Sequence, residues 1–175
     1  MFEHWSDFFL LVGSAAAVLI GLIFVVISLL QDRSRSTVLA GTRLYMGPIV
    51  LGISFVLTLS AAALTPGVGR YAFAALTGVV AIWGLARGVI STLGIQRLTR
   101  IDDEPPHWTD IWFYGVIPCG IYIAFGIVAL AYWQDLSWAG YGLAGVITAA
   151  LLLAIRNEWD LITWIAPRSD AGRSS

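Results

Sequence analysis

The sequence predicts an all-α protein: a polytopic membrane helix bundle of five transmembrane helices, N-terminus out and C-terminus in. Three observations predict it. Five apolar stretches follow one another along the 175 residues, each long enough to cross a hydrocarbon layer of about 30 Å. The chain is 58% hydrophobic and 12% charged, whereas a soluble domain is about half apolar and a quarter charged. It has no lysine, and nine of its ten Lys+Arg residues, all arginines, fall on one side of the alternating spans.

Span 1 covers residues 8–30, which at 1.5 Å per residue is roughly 34 Å of helix. A cleaved signal would need a positive leading region. Met1 to Asp7 holds Glu3 and Asp7 and no arginine, which predicts an uncleaved span with its start facing outward. The linker to span 2 carries Arg33, Arg35 and Arg43. Span 2 covers residues 44–64, with Pro48 in its first turns, where a missing N–H costs little. Thr65-Pro66-Gly67-Val68-Gly69-Arg70 reads as a tight turn and holds the single outer arginine.

Span 3 covers residues 71–93. The longest polar segment follows, from Gly94 to Asp110, with Arg97, Arg100 and Pro105-Pro106. Span 4 covers residues 111–133, and Pro118 inside it is expected to kink the helix or leave a carbonyl free. Span 5 covers residues 138–156, with a helical or interfacial extension to 165. Residues 1–166 thus form a single transmembrane domain, and 167–175 a disordered tail.

Arginines fix the orientation. Arg33, Arg35, Arg43, Arg87, Arg97, Arg100, Arg156, Arg168 and Arg173 fall inside, and Arg70 alone outside. Trp5, Trp133 and Trp138 mark the outer interface, and Trp108, Trp112, Trp159 and Trp164 the inner one. Trp83 alone falls near mid-depth.

Lipid gives no hydrophobic reward for helix contact, so small residues must let backbones approach. Gly13, Ala17 and Gly21 in span 1, and Gly84 and Gly88 in span 3, recur at four-residue spacing and are the candidate packing positions. They serve contacts within the chain or with a second copy.

Candidate chemistry collects at the inner side: Arg87, Asp110, Arg156, Asn157, Glu158 and Asp160. Arg87 lies a few residues inside span 3. There it either snorkels to the interface or pairs with Glu158 or Asp160 of span 5. His4 and His107 fall on opposite sides and cannot share a metal; the lone Cys119 reads as a packing residue. The sequence contains no zinc-protease, paired-cysteine, phosphate-loop or nucleophile-elbow motif. The expectation is no catalytic residue, no cofactor and no metal. A net charge of −1 argues against nucleic acid.

Two stretches carry a resemblance. Phe8-Phe9-Leu10-Leu11-Val12-Gly13-Ser14-Ala15-Ala16-Ala17, continuing through Gly21 to Leu29, resembles the first span of a group of small, uncharacterised multi-span bacterial inner-membrane proteins. Arg156-Asn157-Glu158-Trp159-Asp160-Leu161-Ile162 resembles the Arg-Asn-x-Trp-Asp-Leu run that closes members of that group. Some members are automatically labelled membrane protease modulators. The resemblance implies a bacterial inner-membrane location and carries over no catalytic residue.

Together these readings predict a non-enzymatic multi-pass protein whose partners are the lipid bilayer and another membrane protein or a second copy. The alternative is an oligomeric channel or small-solute transporter, motivated by Ser14, Ser28, Ser54, Thr58, Ser60, Thr77 and Thr148 in the spans and by Pro118-Cys119-Gly120. The spans carry hydroxyls but no mid-depth carboxylate, which argues against a proton-driven carrier.

Overall fold

The computed structural model describes residues 5–29, 47–98 and 112–165. Among them lie α1 (Ser6–Leu29), α2 (Gly47–Leu64), α3 (Arg70–Leu98), a π-helical turn (Trp112–Val116) running into α4 (Ile117–Trp133), and α5 (Ala139–Ile165). All five segments are long and apolar enough to cross a membrane; the shortest, Gly47–Leu64, spans about 27 Å. The protein is an all-helical membrane bundle, and its described residues include no strand.

Consecutive helices run antiparallel. The closest pairings are α3 with α4 and α1 with α2, so two hairpins form the frame. α5 packs against α1, α2 and α4 and joins the hairpins. We call the end where α1 begins the near end, and the opposite one the far end.

Two boundaries differ from the sequence reading, and a third falls on one of its two alternatives. α3 continues past Leu93 to Leu98, into the stretch expected to be a polar loop. Gln, Arg and Leu are good helix formers, so the helix outlasts its apolar run. Span 4 opens with a π turn instead of an α turn. α5 is one unbroken helix from Ala139 to Ile165, the helical one of the two expected extensions, and its apolar segment runs to Asp160.

On α1 the buried side chains are Phe9, Val12, Ala16, Leu19 and Ile23. Their alternating spacing of three and four is the seam of left-handed helix packing. Gly13 lies at the edge of that seam, where an added Cβ would come 3.1 Å from the Ser60 Cβ of α2. Ala17 and Gly21 lie on the exposed side, and a Cβ on Gly21 would meet nothing within 4 Å. Close approach within the chain on α1 therefore uses Gly13 and Ala16, not Ala17 and Gly21.

The α3–α4 contact is tighter. Gly84 sits under the ring of Tyr122, which occupies the space a Cβ would need. A Cβ on Gly88 would lie 3.0 Å from the Cys119 sulfur. Tyr122 also meets Phe55 of α2 edge-on, with centroids 6.0 Å apart, so one ring joins three helices.

Two tight turns close the near end. Gly67 has φ +80° in the α2–α3 turn, a conformation open to glycine. The α4–α5 turn places Asp135 at φ 60°. Asp135 N–H donates to Tyr132 O at 3.2 Å and Leu136 N–H to Ala131 O at 2.9 Å. That pair of bonds is the Schellman motif, with Asp135 where glycine is usual. The Asp135 carboxylate pairs with Arg70, whose guanidinium also stacks over Tyr71 at 4.8 Å.

Candidate functional site

The polar residues of the described chain concentrate at the far end, where α5 meets the π turn. The cause lies in the backbone. In a π turn a carbonyl accepts from the amide five residues on. For Phe113 that residue is Pro118, which has no N–H. A carbonyl left without a donor inside a membrane bundle is costly. Asn157 of α5 supplies the donor: its Nδ2 reaches Phe113 O at 3.2 Å.

The neighbouring groups orient that amide. Arg156 donates from Nη1 to Asn157 Oδ1 at 3.2 Å. The same guanidinium lies over the Phe113 ring, 3.2 Å from its centroid. The Tyr114 hydroxyl faces Asp160 Oδ2 at 3.2 Å and the Asn157 carbonyl at 3.4 Å. Asn157 is 4% exposed and Glu158 7% exposed, and Oε1 of Glu158 is buried without a hydrogen-bond partner among the described residues. Trp112, Trp159 and Asp160 are exposed around this cluster.

A cleft of about 40 Å³ opens beside it, between α2, α4 and α5. Gly52, Pro118, Tyr122 and Asn157 are among its lining residues. At roughly 10–15 Å³ per water centre, it has room for about three waters.

The structure brings Arg156, Asn157, Glu158 and Asp160 together with Phe113 and Tyr114, which sequence alone did not single out. Their one signal was Pro118, whose missing amide requires a substitute donor. Asp110 and both histidines lie outside the described residues. Arg87 stands apart. It is exposed on α3, and among the described residues it has no ion pair and no hydrogen bond. Its guanidinium reaches toward the start of α2, 4.0 Å from where a Cβ on Gly47 would lie. A pairing of Arg87 with Glu158 or Asp160 is therefore not formed, because α3 packs on α2 and α4, away from α5.

Five of the seven span hydroxyls named above serve their own helices. Ser28, Ser54, Thr58, Thr77 and Thr148 each donate to the carbonyl four residues earlier, at 2.8–2.9 Å. Such bonds use the hydroxyl's proton within its own helix and leave its lone pairs free to accept. Among the described residues, no group of three His, Cys, Asp or Glu side chains comes together to hold a metal.

The fold and the far-end cluster define a helical membrane protein whose polar side chains clasp helices together. Compared with known proteins, the chain matches no family model, no curated protein and no solved structure.

Proposed function

We propose that this is a multi-pass protein of a bacterial inner membrane, N-terminus outside, which acts without catalysis by binding or regulating another membrane protein. The arginine asymmetry supports the orientation, and the likeness of both chain ends to small bacterial inner-membrane proteins supports the location. With the C-terminus inside, the near end is the outer face and the far end the inner one.

One observation carries the functional reading. The far-end polar groups Arg156, Asn157 and Tyr114 are engaged with one another and with the Phe113 backbone, so their role is structural. Among the described residues, that end also presents Trp112 and Trp159 as an exposed aromatic rim, beside the exposed Asp160 that accepts from Tyr114. An aromatic rim beside a charge on a rigid support is a recognition surface by composition.

Site-specific photocrosslinking in native membranes tests the proposal. A crosslinker at position 159 is expected to capture a membrane protein of different mass, and one at position 18, on the exposed side of α1, is expected to capture far less. Adducts at position 159 only in multiples of 18.9 kDa would replace the partner with a second copy.

A further inference from the structure

Arg87 is a charge with no partner among the described residues. It lies within the apolar segment Arg70–Leu93, about six residues or 9 Å short of its far limit. A guanidinium in that position meets lipid headgroups or water by extending its stem toward the interface. Its reach toward Gly47, where α2 begins, follows that direction.

Beside it on α3 lies a shallow, open apolar surface formed by Val79, Ile82, Trp83, Ala86 and the aliphatic stem of Arg87. Ile82 and Trp83 are 74% and 59% exposed, so no other part of the described chain covers this face. An open apolar face edged by a cation that has no partner among the described residues matches a lipid with an acyl chain and a negative headgroup. A water-soluble anion would have no use for the apolar face. A zwitterionic lipid would bring its own cation to the same place.

We propose that the exposed face of α3 holds one anionic phospholipid, its phosphate on Arg87 and an acyl chain along Val79, Ile82, Trp83 and Ala86. The site rests on the five helices crossing lipid and is independent of the proposed protein partner. A cation near an anionic headgroup layer is worth about 1 kcal/mol, or roughly five-fold in affinity. The attraction weakens with salt, because the headgroup end of the site is exposed.

Trp83 lies one helical turn from Arg87 and reports on the occupant. The full chain would be reconstituted in vesicles of phosphatidylcholine containing phosphatidylglycerol, with bromine on the acyl chains of one lipid or the other. The Trp83 signal is the difference between the native chain and Trp83→Phe. Brominated phosphatidylglycerol is expected to quench it with about five-fold higher apparent affinity than brominated phosphatidylcholine. That preference should shrink in high salt, persist in Arg87→Lys and vanish in Arg87→Gln. Equal quenching by the two lipids, or a preference that survives high salt or Arg87→Gln, overturns the proposal. The salt arm needs no variant and decides the matter even if Arg87→Gln fails to fold. Quenching by neither lipid would overturn the membrane reading as well.

Discussion

Asn157 donates its side-chain amide to the Phe113 carbonyl, 44 residues away in sequence, and so replaces the backbone donor that Pro118 lacks. The bond joins the last helix to the start of α4. It makes the π turn and the polar end of α5 parts of one arrangement: the proline creates the vacancy, and the asparagine fills it.

Removing the donor should cost accordingly. Asn157→Ala is expected to destabilise the bundle by about 1–2 kcal/mol in equilibrium unfolding from mixed micelles, the range for a buried interhelical hydrogen bond. Pro118→Ala restores an N–H, so in that background the Asn157→Ala cost should fall to less than about half, giving a measurable coupling in a double-mutant cycle. Additive costs would show that Asn157 does not stand in for the missing amide.

Two glycines in α-helices should respond in opposite ways. Gly84→Ala places a methyl where the Tyr122 ring lies, and an overpacked contact of this kind costs about 1–3 kcal/mol. Tyr122→Ala in the same chain should recover part of that loss. Gly21→Ala meets open space and is expected to be neutral, or stabilising by up to about 1 kcal/mol, as for glycine in a helix interior. Unfolding midpoints of the three variants check this directly.

Asp135 holds a left-handed conformation that costs an L residue about 1 kcal/mol, and it pairs with Arg70 on an exposed surface. Asp135→Gly relieves the backbone and loses only the exposed pair. It should leave the unfolding temperature unchanged or raise it, whereas Asp135→Leu should lower it.

Orientation is testable with reporters active in one compartment. A phosphatase that folds only outside should be active on the N-terminus and silent on the C-terminus, and a fluorescent protein that matures only inside should give the reverse. Replacing Arg97 and Arg100 with Gln should weaken this bias, because short inner loops carry the orienting charge.

The five spans were legible because hydropathy over about 20 residues is a strong signal that packing does not alter. Helix ends were less so. Leu93 closes the apolar run of α3, but the residues after it are helix formers, and a helix ends where its backbone is interrupted. The facing of α1 was ambiguous, because two patterns share the helix: small residues every four, and apolar residues at alternating three and four. The second won, since Phe9, Leu19 and Ile23 fill more volume between helices than Ala17 and Gly21 can. The far-end polar run was visible, but its partners were not. Phe113 joins it through a backbone carbonyl, which carries no side-chain signature, and only the π turn makes that carbonyl available. Asp135 escaped notice for a similar reason: its pairing with Arg70 depends on two turns meeting at the near end.

Because α5 joins the two hairpins and is translated after them, the order of synthesis bears on assembly. The ribosome releases α4 while the Phe113 carbonyl still waits for its donor. The nascent bundle stays open at one end until residue 157 emerges. A premature stop after α4 but ahead of that codon therefore strips the finished hairpins of their fastener as well as truncating α5.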